Sequence, residues 1–116
     1  MKTLPSLLTL CVALFCSALQ ASERADIGWT LIETGALVVD VRTPAEFEVG
    51  HLNNAINVPL SKLSQHFSNK DKDRAIVLYC RSGNRSEKAY QFLKHQGFTN
   101  IHNAGGFVEM QESHKP

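Results

Sequence analysis

Two short, nearly uninterrupted apolar runs constrain this chain more than any other feature: Ala36-Leu-Val-Val-Asp-Val41 and Ala75-Ile-Val-Leu-Tyr79. Both are rich in β-branched residues and lack the apolar/polar alternation of a half-exposed strand, so each reads as a strand covered on both faces. Helical patterns separate them. Asp26 is placed to cap a helix with Ile27, Leu31 and Ile32 on one face and Gly35 as its stop. Thr43-Pro-Ala-Glu46 has the form of a capping box with proline at the first helical position, which predicts a short helix to Val49 ended by Gly50. Ala55-Ile-Asn-Val58 reads as a short strand, Leu60 to Phe67 as one or two helical turns, and Ser86 to Gln96 as a helix stopped at Gly97. Thr99 to His102 is a weaker strand, Gly105-Gly106 a turn, and a frayed tail is expected from Gln111. Strands alternating with helices in 116 residues imply one α/β domain with a mainly parallel central sheet of four to five strands flanked by helices.

The first 21 residues follow another logic. Lys2 is their only charge, and an uncharged apolar stretch from Leu4 to Leu19 leads to small residues at Ala18 and Ala21. That is the pattern of a cleavable signal peptide, with a membrane anchor as the competing reading. Cleavage after Ala21, with Ala18 as the competing site, is expected to leave one domain over 22–116, exported to the periplasm and without stable membrane association. Setting Lys2 aside leaves the Lys and Arg residues equal in number to the 11 Asp and Glu. No basic field remains to attract nucleic acid. Of the three cysteines, Cys11 and Cys16 leave with the signal, so Cys80 is the single thiol of the domain and no internal disulfide can form. His51, His66, His95, His102 and His114 show no ligand spacing, so neither a metal nor another cofactor is expected.

Cys80 follows the second apolar run and precedes Arg81-Ser-Gly-Asn-Arg85 and a helix expected near Ser86. A thiol there lies at the carboxyl edge of the sheet, where α/β proteins bind ligands. It faces the unpaired N–H groups of a helix start. Gly83 frees the backbone for a tight turn, Asn84 tolerates the left-handed region, and Arg81 and Arg85 add positive charge. Each feature favours thiolate over thiol.

The segment Cys80-Arg-Ser-Gly-Asn-Arg85 resembles the six-residue active-site loop of the rhodanese family. Val39-Asp-Val-Arg-Thr-Pro-Ala-Glu-Phe47, Gly50-His51, Ala55-Ile-Asn-Val-Pro59, Gly97-Phe98 and Asn103-Ala-Gly-Gly-Phe107 match other family segments in order. With its export signal and minimal length, the chain is similar to small periplasmic thiosulfate sulfurtransferases of phage-shock type. The resemblance implies a rhodanese-like domain working through a Cys80 persulfide. Cys80 would take sulfane sulfur from a small donor such as thiosulfate and pass it to cyanide or a thiol. Arg81, at the open side of the loop, is expected to bind the donor anion and Arg85, against the helix start, to brace the loop, with Ser82, Gly83 and Asn84 completing the anion cradle. Asp40 is expected to bond the cysteine loop and Arg42 to pair with Glu46, both structurally. Asn54 stands where the family often has glycine, and Trp29 reads as a packing residue. Two other functions compete. A non-enzymatic persulfide carrier would use the same thiol to deliver sulfur to a protein partner. A cysteine phosphatase would need a loop one residue longer, with Arg six positions after Cys, where this chain has Ser86.

Overall fold

A computed structural model describes residues 23–114. The apolar N-terminal segment and its expected cleavage sites lie outside the described residues. Helix α1 spans 23–33, followed by β1 (Leu37–Asp40), α2 (Pro44–Val49) and β2 (Ile56–Asn57). A 3-10 turn (Leu60–Lys62) leads into α3 (Leu63–Phe67), then β3 (Ile76–Cys80), α4 (Asn84–His95), β4 (Ile101–Gly106) and α5 (Phe107–Ser113). The strands form one four-stranded sheet in the order β2-β1-β3-β4, parallel throughout.

The two apolar runs are the central strands, and their alternation serves two cores. Ile76, Leu78 and Cys80 point into a cluster with Leu63, Phe67, Ala89 and Leu93 from α3 and α4. Val77 and Tyr79 point the other way, to Ala25 of α1 and Met110 of α5. Every residue of β3 is therefore buried, which is why no polar residue interrupts it. At Thr43 the capping box forms as expected: its hydroxyl accepts from the Glu46 N–H at 3.2 Å, and the Thr43 N–H donates to Glu46 Oε1 at 3.1 Å.

Both chain ends depart from expectation. Asp26 lies inside α1 rather than at its start. Gly105 and Gly106 end a strand that runs four residues past His102. The tail does not fray at Gln111, because α5 continues to Ser113. Helix α1 holds it there: Trp29 Nε1 donates to the Met110 carbonyl at 2.7 Å, and the Trp29 ring stacks on His114 at 3.9 Å. Close approach matters at Gly28, where a Cβ would sit 2.7 Å from that of Ala104. Only glycine lets α1 lie this close to the sheet.

Candidate active site

From β1 the chain crosses to β2 at one edge, and from β3 to β4 at the other, so the sheet changes direction between β1 and β3. Their carboxyl ends diverge there and open a crevice. Tyr79 pairs with Asp40 across it, and Cys80 is the next residue of β3. Past Cys80 the chain turns in three residues and enters α4 at Asn84, two residues ahead of the expected start. Gly83 makes the turn, at φ +99. A side chain there would also collide with Arg24 Nη2, 2.8 Å from the ideal Cβ position. Asn84 is helical, so it is not a left-handed residue of this loop. The asparagine with positive φ is Asn54, at 65°.

Cys80 is 1% exposed, and its sulfur forms the floor of the loop. The Gly83 N–H donates to Sγ at 3.0 Å and the Ser86 hydroxyl lies 3.3 Å away. Burial, the largest influence, pushes the thiol up. The Ser86 hydroxyl and the N–H groups of Ser86, Ser82 and Gly83 together outweigh it and hold the thiol below its ordinary value. Arg85 is raised first by its bond to Glu46, and the Cys80 charge adds to that. Arg24 is raised first by Glu109, and Cys80 contributes there too. The thiolate therefore lies in the field of two guanidiniums, of which the sequence had pointed to one.

A frame of polar contacts fixes the loop. Arg85 grips Glu46 with Nη1 on Oε1 at 2.7 Å and Nη2 on Oε2 at 2.9 Å, which joins α4 to α2. Arg24 bonds both carboxylate oxygens of Glu109 at 2.8 Å and reaches the Ser82 carbonyl at 3.3 Å. Asn103 Nδ2 donates to the Gly83 carbonyl at 3.2 Å. It is aimed there by a bulge in β4, where the pairing slips between Leu78 and Tyr79.

Asp40 and Arg42 are paired differently from expectation. Asp40 does not bond the cysteine loop, and Arg42 does not pair with Glu46. Arg42 folds back onto Asp40, with Nε at 3.0 Å from both carboxylate oxygens and Nη2 at 2.7 Å from Oδ2. Asp40 is wholly buried and needs a cation at once, whereas Glu46 is already held by Arg85 and the Thr43 cap.

Arg81 is exposed, and among the described residues its guanidinium has no hydrogen-bond or ion-pair partner. It lines an open cleft of about 370 Å³ with Arg42, Glu46, Val49, Phe107 and Val108. The structure thus brings Cys80, Ser82, Gly83 and Ser86 around one sulfur atom, sets Asn84 and Arg85 on the helix behind it, and leaves Arg81 at the mouth. Ser86, Arg24, Asn103 and Glu109 were missed as site residues. Ser86 alone had a legible signal: it shares a buried helix face with Ala89 and Leu93, so a hydroxyl there must find a buried partner.

A family model for the Rhodanese-like domain matches residues 24–113. A tRNA uridine(34) hydroxylase of Hamiltonella defensa is 41% identical over 97 residues, covering 78% of this chain and 27% of that protein. The protein of the same name from Escherichia coli (strain K12 / DH10B) is 35% identical over 94 residues, covering 75% of this chain and 27% of its own length. The chain therefore spans about a quarter of these curated relatives. Among solved structures, a rhodanese from E. coli with anions superposes with a TM-score of 0.60 at 31% identity, covering 65% of this chain and 91% of that one. The human single-domain sulfurtransferase superposes with a TM-score of 0.64 at 26% identity, covering 74% and 90%.

Proposed function

The chain belongs to the rhodanese-like domain family, and from that premise we propose that it is an exported sulfurtransferase that carries sulfane sulfur as a persulfide on Cys80. The observation that carries this reading is the sulfur's surroundings: an N–H at 3.0 Å and a hydroxyl at 3.3 Å, in a loop that favours the thiolate. The Cys80 thiolate attacks the outer sulfur of thiosulfate. The sulfur–sulfur bond of the donor breaks, sulfite leaves with the electron pair, and Cys80 keeps the transferred sulfur as an anionic persulfide. An acceptor, cyanide or a thiolate, then attacks the outer persulfide sulfur and returns the electron pair to Sγ. The loop N–H groups stabilise negative charge on sulfur through both steps, as an oxyanion hole does for oxygen. Arg81, unpaired at the mouth, attracts the dianionic donor, and Arg85 braces the loop through Glu46.

Two observations weigh against a phosphatase. The loop has six residues, and the guanidinium of Arg85 is committed to Glu46 rather than free to clamp a phosphate. The hydroxylation of tRNA uridine named for the relatives is not carried over. This chain matches 27% of their length.

Mass spectrometry tests the reading directly. Protein incubated with thiosulfate should gain the mass of one sulfur atom, and cyanide should return it to the starting mass with release of thiocyanate. Cys80→Ser should lose both steps and keep its fold, since one oxygen replaces one sulfur. A folded, reduced protein that never gains sulfur from thiosulfate or another sulfane donor would overturn the assignment.

A further inference from the structure

The cleft at the loop mouth has a composition that thiosulfate does not call for. Among the described residues, the large apolar side chains exposed to solvent are Ile27, Val49 and Val108, and two of the three line this cleft. Val49, at the end of α2, is 92% exposed, and Val108, in the first turn of α5, is 60% exposed. Phe107 lines the same cleft, its ring 6.1 Å from that of Tyr79 and the Arg42 guanidinium 4.7 Å from its centre. The charges of the cleft are mostly spent internally. Arg42 is paired with Asp40 and Glu46 with Arg85, which leaves Arg81 as the uncompensated charge. The cleft beside the loop thus combines an apolar floor, two projecting valines and one free cation.

A small hydrated dianion needs the cation and the loop N–H groups, and it gains nothing from the valines. A thiol carried on a polypeptide would use both. We infer that this cleft docks the sulfur acceptor, and that the acceptor is a cysteine on a surface segment of a partner protein, with an apolar side chain on one side of the thiol and a carboxylate on the other. The inference rests on the sulfurtransferase reading. The apolar neighbour covers Val49, Phe107 and Val108, and the carboxylate pairs with Arg81. Docking brings the partner thiolate to the outer persulfide sulfur. A new sulfur–sulfur bond forms there, the old one breaks, and its electron pair returns to Cys80.

The test uses intact protein loaded with thiosulfate, with the persulfide counted by mass before each run. Its discharge is timed against cyanide and three eight-residue peptides with central Leu-Cys-Glu, Gly-Cys-Glu and Leu-Cys-Lys, each corrected for its thiolate fraction. Leu-Cys-Glu should react about tenfold faster than Gly-Cys-Glu, the scale of one apolar side chain removed from water, and about threefold faster than Leu-Cys-Lys, the scale of one exposed ion pair. Val49→Ser and Val108→Ser, both at exposed positions, should each erase the leucine preference and leave discharge by cyanide unchanged. Equal rates for the three peptides, or a preference that survives both substitutions, would overturn the docking inference while cyanide discharge keeps the sulfurtransferase reading intact. A protein that takes up no sulfur would overturn both.

Discussion

At the scale of single residues, the chemistry concentrates on Cys80 and on the donors aimed at it. The cysteine and its loop were legible because their residue types are unusual in combination: one thiol, one glycine and two arginines between a buried strand and a helix. Ser86 was harder to see, since a serine near a helix start usually reads as a cap. Here the N-cap position belongs to Gly83, and Ser86 lies a turn further on, wholly buried against the sulfur. Ser86→Ala removes a hydroxyl from a charged sulfur at little change in volume. A hydrogen bond to a charged group contributes about 1.5–3 kcal/mol, so kcat/KM for thiosulfate should fall about tenfold or more. The rate of alkylation against pH should shift its midpoint upward, because the largest of the influences that lower the thiol is gone. An unchanged midpoint would show that the N–H groups alone set the acidity of Cys80.

At the scale of elements, the short helix α2 acts as a bracket for the active-site loop. Its capping box was readable from four consecutive residues, because local spacing determines it. Its role was not readable, because Glu46 meets Arg85 across 39 positions of sequence. The same limit explains the mispairing of Asp40 and Arg42: residue types name the candidate partners, but the depth of burial decides which carboxylate takes which arginine. Acid should expose the bracket. Arg85, then the Thr43 cap, hold the Glu46 carboxyl down to about 2. A carboxylate depressed on folding contributes stability that is complete above its ordinary value, roughly 4.3, and is lost as pH falls through the depressed one. Glu46→Gln should therefore lower Tm at pH 6, and the deficit against the parent protein should shrink between pH 4.5 and pH 2. A deficit constant over that window would mean that Glu46 acts through shape or neutral hydrogen bonds rather than charge.

At the scale of the whole molecule, the two ends of the described chain close one face of the sheet together. Central strands are legible from composition, since a strand covered on both sides tolerates almost no polar residue. The ends are less so, because α1 and α5 are amphipathic segments whose fate depends on each other. Trp29 bonds the Met110 carbonyl, Arg24 grips Glu109, the Ser113 hydroxyl donates to Asp26, and His102 Nε2 donates to the Arg24 carbonyl. These contacts all lie downstream of the proposed cleavage sites. Removal of residues 1–21 leaves every one of them in place, since the first residue involved is Arg24. From the sequence pattern of residues 1–21 we expect the exported protein to begin near Ser22, or near Leu19 if Ala18 is the site used, and, with these contacts kept, to melt as the full chain does. N-terminal sequencing of protein from the native host measures the first point, and an intact Met1 on a membrane-bound product would refute it. A chain begun at Gly28 supplies the contrast. It lacks Arg24 and Ala25, so Glu109 loses its arginine, the Ser82 carbonyl loses a donor, and one core loses a wholly buried methyl. It should melt several degrees lower, by about 4–8 °C for each kcal/mol lost in a domain of this size. Its slower alkylation at neutral pH would show that the N-terminal helix supports the acidity of Cys80 from the far end of the sequence.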